Sequence, residues 1–235
     1  MKKQMENPKV HFVNGDVPFE FAEAYKALRT NFNFVAGNDN CKKIVITSAV
    51  PNEGKTSVAI NLAISLVQVG KRVLLLDTDL RNPSLHRYLN LKRDGGYGLS
   101  SILVGSVDAQ SCVVETLLGF DVIPGGLTPP NPVELMSSAG MKALLEDMQE
   151  KYDIVICDTP PVGLVIDAAA LSSQCDGVLF VVRQKMAKKN QVLGAIHKLQ
   201  SVNAKILGIV MNHYDMADAP EKAYGYYGGY GNYKR

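Results

Sequence analysis

Ser48-Ala-Val-Pro-Asn-Glu-Gly-Lys-Thr-Ser57 follows the β-rich run Ile44-Val-Ile-Thr47 and opens an apolar-rich segment that reaches Val69 and stops at Gly70. Apart from its first glycine, Ala49 to Thr56 fits the pattern G-x-x-x-x-G-K-[ST], in which backbone N–H groups and a helix N-terminus hold a polyphosphate. In such a loop Lys55 sets a point charge against the β/γ-phosphates, and the Thr56 hydroxyl is a ligand for magnesium. Ala49, Pro51, Asn52, Glu53, Gly54 and Ser57 complete the expected cradle. The order of strand, loop and helix is the one this motif requires.

Outward from the loop, Val73 to Leu76 is a continuous apolar run ending in Asp77-Thr78-Asp79, and Ile154 to Cys157 is another ending in Asp158. Short unbroken apolar runs fit strands covered on both faces, and open parallel sheets bind ligands at the carboxyl ends of their strands. Phe120 to Ile123, Gly177 to Val182 and Ile206 to Met211 read as further strands. Phe19 to Val35, Gly140 to Tyr152, Val165 to Ser173 and Lys188 to Val202 read as helices, with Pro132 suited to the first turn of a short one. This alternation predicts an α/β fold with a doubly wound, mainly parallel sheet and helices on both faces. Between Leu80 and Gly119 the pattern is broken, with only one or two helical turns expected over Leu99 to Val104.

The length of 235 residues fits one large domain, and 25 basic against 23 acidic residues leave a formal charge of +2. That balance offers no electrostatic reason to expect a nucleic-acid partner. Cys41, Cys112, Cys157 and Cys175 lie far apart without metal-ligand spacing and read as reduced thiols in or near the core. The polar start lacks a secretory pattern and no apolar run is long enough to span a bilayer, so a cytoplasmic location is expected.

A phosphate loop alone implies only nucleotide binding; three strand-end acids imply chemistry. Thr56, Asp79 and Asp158 could hold or orient hydrated magnesium, leaving Asp77 as a candidate base. Taken singly, each acid could instead cap the next helix or pair with Arg81. Asn212, at the end of the last strand, is a candidate adenine contact. On the first helix Glu23, Lys26 and Arg29 recur every three residues along one side, a pattern that also suits a solvated face. Residues 1–17 read as a flexible arm, 18–212 as the nucleotide-binding domain with its helix at 18–36, and 213–235 as a flexible tail. From Tyr224 to Arg235 five of the ten tyrosines, Tyr224, Tyr226, Tyr227, Tyr230 and Tyr233, alternate with glycine. Such a segment cannot build a core, but it offers phosphoryl acceptors whose ordinary pKa near 10 would call for a carboxylate base.

Taken together, these motifs resemble those of the bacterial tyrosine kinases of capsule and exopolysaccharide systems, over nearly the whole chain. Ala49 to Thr56 stands as its Walker A segment, Leu74-Leu-Leu-Asp-Thr-Asp-Leu-Arg-Asn-Pro83 as Walker A-prime, and Ile154-Val-Ile-Cys-Asp-Thr-Pro-Pro161 as Walker B. The proline-rich Pro129 to Leu135 and the terminal tyrosines add to the match. The resemblance implies a P-loop ATPase fold related to MinD and ParA, ATP and Mg2+ held at Lys55, Thr56, Asp79 and Asp158, and activation of an incoming tyrosine by Asp77. It also implies trans-autophosphorylation of the tail, a homo-oligomeric ring assembled through the helix motif, and a cognate tyrosine phosphatase. A membrane adaptor would activate the kinase and recruit it to the inner face of the membrane. Glu23 and Arg29 match the helix motif, while Lys26 stands where the family has its first arginine. Asn52 stands where the family often has glycine, and asparagine tolerates left-handed backbone better than most residues.

Two other readings remain open on sequence. One is a ParA/MinD-type positioning ATPase, which commonly carries a signature lysine early in the loop, where this chain has Val50. The other is a nucleotide-binding interaction module without turnover.

Overall fold

The computed structural model describes residues 11–37, 41–91 and 96–215; the tail tyrosines lie outside them. A seven-stranded sheet runs in the order β3-β4-β2-β5-β1-β6-β7, built from β1 (Lys43–Ser48), β2 (Val73–Asp77), β3 (Val114–Glu115), β4 (Asp121–Ile123), β5 (Ile154–Asp158), β6 (Gly177–Arg183) and β7 (Ile206–Asn212). Every pairing is parallel except that of the two-residue β3 with β4. All side chains of β2 and β5 are buried, as expected of strands covered on both faces.

One face is covered by α1 (Phe19–Ala36), α2 (Lys55–Val67) and the short α3 (Leu85–Tyr88), the other by α5 (Pro132–Met136), α6 (Ala139–Lys151), α7 (Asp167–Ser172) and α8 (Lys189–Gln200). A further turn of helix, α4 (Leu99–Leu103), packs on the second side. α2 is apolar nearly all round and is buried from Val58 to Leu66, because it lies between the sheet and α1 rather than at the surface. Pro132 occupies the first turn of α5, where a missing N–H leaves no bond unmade. The pattern of strands and helices expected from the sequence is therefore present. The antiparallel β3, the helix α3 and a 3-10 turn at Gln110–Cys112 are additions. These are too short for periodicity to register. All four cysteines are free; Cys41, Cys112 and Cys157 are buried and Cys175 is half-buried.

The strand order brings the motifs together. β5 lies between β1 and β2, with Ile46 and Asp77 both in register with Asp158. The ends of the three strands that carry the loop and the acids are thus neighbours on one edge. Among the described residues, no helix is long and apolar enough to cross a membrane.

Candidate active site

The loop leaves β1 at Ser48 and enters α2 at Lys55, so the free N–H groups of that helix's first turn face the space where a phosphate chain would lie. Two positions take left-handed backbone, Asn52 at φ 64° and Gly54 at φ 89°. Asn52 adopts a left-handed conformation that asparagine tolerates better than most residues. At Gly54 a β-carbon would overlap the Asn212 side-chain amide.

Buried Glu53 clamps the loop from below. Its carboxylate accepts from the Val50 N–H at 2.8 Å and from the Arg183 N–H at 3.2 Å, tying the loop to the end of β6. Asn212 acts from the next strand: its amide nitrogen donates to the Glu53 carbonyl at 2.8 Å, and its oxygen accepts from the His213 N–H at 3.0 Å. The nitrogen of this amide thus braces the loop while its oxygen is held at the strand end.

The acids occupy different depths. Asp158 is fully buried and accepts the Thr56 hydroxyl proton at 2.6 Å. Burial pushes its carboxyl from 3.8 up to about 6, while Lys55 and the Thr56 hydrogen bond oppose the rise. Asp77 is also fully buried, and one of its oxygens accepts the N–H groups of Ser84 and Leu85, each at 2.9 Å. Desolvation, followed by the charge of Asp158, raises it well above the ordinary carboxylate range. It therefore does cap the helix that follows, as the simplest alternative for a strand-end acid would have it, and it lies one layer beneath Ser84. Asp79, by contrast, lines the cavity; burial raises its carboxyl and Lys55 opposes the rise.

The cavity has a volume of about 850 Å³ and is lined by Gly54, Lys55, Thr56, Asp79, Arg81 and Tyr88, among others. Among the described residues, one carboxylate oxygen each of Asp77 and Asp158 has no hydrogen-bond partner. Such buried acceptors, beside a threonine hydroxyl and a helix N-terminus, fit a magnesium ion carrying nucleotide phosphates. Thr56, Asp79 and Asp158 would hold the ion or its waters, and when bound it would neutralise charge on the β/γ oxygens.

Sequence reading missed Asp167, whose side chain is 2% exposed and pairs with Arg81 at 2.9 Å. The available signal was a lone carboxylate within the apolar run Val162 to Leu171. Lys198 was missed too; it donates to the carbonyls of Val162 at 3.2 Å and Gly163 at 2.8 Å. Those bonds tie α8 to the segment after Walker B, which passes so close to the loop that a β-carbon on Gly163 would overlap the Ala49 carbonyl oxygen. The helix motif lies apart from the cavity: Lys26 pairs with Glu23 at 2.6 Å on an exposed face, while Arg29 donates to the Ser65 carbonyl of α2 at 2.7 Å within the same subunit.

The AAA domain family matches residues 41–209. Tyrosine-protein kinase YwqD of Bacillus subtilis is 38% identical over 213 residues, covering 90% of this chain and 88% of YwqD. The chain belongs to the bacterial tyrosine-protein kinases. The solved kinase domain of Escherichia coli tyrosine kinase ETK superposes on the kinase with a TM-score of 0.77 at 33% identity, over 84% of this chain and 79% of that one. In fold alone the kinase also matches the septum site-determining protein MinD of Pyrococcus horikoshii, solved with Mg-ADP, at a TM-score of 0.65, 23% identity and coverage of 77% and 75%.

If Asp158 holds magnesium, its raised carboxyl would make metal loading pH-dependent. A carboxyl held above its unfolded value stabilises the folded chain below pH 3.8, and that contribution is lost as pH rises through about 6. Mg2+ needs the ionised form, so its added stabilisation should grow over the same window. Melting with and without Mg2+ at fixed ADP should show a larger increment at pH 7.5 than at pH 5, and Asp158→Asn should flatten the difference. Equal increments in the wild type would refute the assignment.

Proposed function

We propose that this kinase binds ATP-magnesium in the 850 Å³ cavity and transfers the γ-phosphoryl group to tyrosines of its own C-terminal cluster, Tyr224, Tyr226, Tyr227, Tyr230 and Tyr233, on a neighbouring copy. The observation that carries this reading is the convergence on one sheet edge of Lys55, Thr56 and Asp79, which line that cavity, with Asp158 behind them holding the Thr56 hydroxyl. In the transfer the phenol oxygen bonds to the γ-phosphorus, the bond from that phosphorus to the β–γ bridging oxygen breaks, and ADP leaves. Asp77 takes the phenol proton, for which a raised carboxyl is the better acceptor. Because Asp77 is buried and does not line the cavity, a local rearrangement would bring the acceptor to it.

The kinase works in the cytoplasm at the inner face of the membrane, brought there and activated by the cytoplasmic end of an adaptor in capsule or exopolysaccharide export. A tyrosine phosphatase reverses the modification. In ring assembly through Glu23, Lys26 and Arg29, Arg29 would keep Ser65 on one Nη and offer its other guanidinium donors to the neighbouring copy. Val50, in place of a signature lysine, speaks against the positioning-ATPase alternative.

The test mixes wild-type protein with a mass-tagged Lys55→Met copy, ATP, Mg2+ and a peptide from the adaptor's cytoplasmic end, and maps phosphate by mass spectrometry. Phosphate on tail tyrosines of the tagged copy is expected. If no tail tyrosine gains phosphate, the reading is overturned.

A further inference from the structure

We propose that Arg81 is the second cation on the terminal phosphoryl group of the bound nucleotide and that Asp167 is the positioning residue that aims it. This rests on the ATP reading of the cavity and assigns the charge that the loop does not supply. Charge develops on the transferring group, and a fixed donor there is effective because it needs no reorganisation at the moment of reaction. Within the loop only Lys55 is cationic: Val50, where a second lysine would stand, packs as a partly buried apolar side chain against the core. Arg183 is tied to the loop's outer turn through the Asn52 carbonyl.

Arg81 lies two residues beyond Asp79 and lines the same cavity as Lys55. Its Nε donates to Asp167 at 2.9 Å, the one side-chain hydrogen bond of Arg81 among the described residues, while its backbone N–H donates to Asp79. The planar guanidinium is thus anchored at one corner with its remaining donors uncommitted. The two partners differ sharply in exposure, 41% for Arg81 against 2% for Asp167. A buried carboxylate held by one hydrogen bond, its second oxygen unpartnered among the described residues, fixes where the arginine can stand without using up its Nη groups. The two residues are 86 positions apart, joined only because the β2 and β5 ends are adjacent. A plain tie between α7 and the β2 loop would have no need of an arginine that stays in the cavity. Lysine would present its donors from one nitrogen, whereas the guanidinium can hold Asp167 through Nε and reach a separate partner through its Nη groups.

The test measures calorimetric affinities of the full chain for Mg-ADP and for a non-hydrolysable Mg-ATP analogue, which differ by the terminal phosphoryl group. In Arg81→Lys and in Asp167→Ala the ratio of analogue to ADP affinity should fall about tenfold, the worth of one charge-assisted hydrogen bond. ADP affinity should stay within about threefold. Asp167→Asn still offers an oxygen to Nε and should recover part of the ratio. A ratio unchanged in Arg81→Lys overturns the proposal whatever the melting temperatures do, as does a loss in Asp167→Ala that Arg81→Lys does not share. If the wild type binds neither nucleotide, the ATP reading itself fails.

Discussion

Lys55→Met should lower turnover by about 100- to 1000-fold, the usual loss on removing one preorganised donor from a developing charge. Lys55 stands at the first turn of α2 and lines the cavity, and its charge acts on Asp79 and Asp158. No hydrogen bond ties its amine to another described residue, and methionine has a similar unbranched stem and good helix propensity. The variant should therefore fold with a melting temperature within a few degrees of wild type. Removing the charge that opposes the rise of both carboxyls should also weaken Mg2+ near neutral pH. Steady-state ADP release and a melting curve check this; turnover within threefold of wild type would contradict the assigned role.

Asp77 should separate chemistry from architecture more sharply. Asp77→Asn keeps an oxygen for the Ser84 and Leu85 N–H groups and replaces a carboxyl whose ionised form burial and Asp158 disfavour. The nucleotide-free variant is expected to melt at or above the wild-type temperature at pH 7.5. Its tyrosine phosphorylation should fall by about 100- to 10,000-fold, the contribution of a positioned base. Asp77→Ala loses the base too, but it orphans two N–H groups at a cost of about 1 to 3 kcal/mol each. It should unfold earlier in denaturant. Should Asp77→Asn keep its activity, the base lies elsewhere; should alanine and asparagine melt alike, the capping role is wrong.

The loop and its acids were legible because each is a local statement. Ala49 to Thr56 dictates its own left-handed turns and helix start, and an apolar run ending in aspartate announces a strand end. Asn52 at φ 64° is a residue-level case: the resemblance set a glycine position there, and asparagine is a residue that tolerates the left-handed turn it occupies. Arg29 shows the limit. Its spacing with Glu23 marked a face of α1, but nothing local foretold that it would reach Ser65 across to α2. The same holds for Asn212, whose place at a strand end was visible while its grip on the Glu53 carbonyl was not.

Chain order and residue type thus settled the α/β class and the positions of the phosphate loop and three acids, since dihedral preferences and burial periodicity are properties of short segments, and the resemblance of those motifs pointed to the tyrosine kinases. Tertiary structure alone decided that β5 lies between β1 and β2, that Asp77 sits beneath the cavity while Asp79 lines it, and that Arg81 meets Asp167. Those outcomes depend on which distant strands pair and which helices cover them. Such pairings are selected by the packing of the whole core, which no short window of sequence contains.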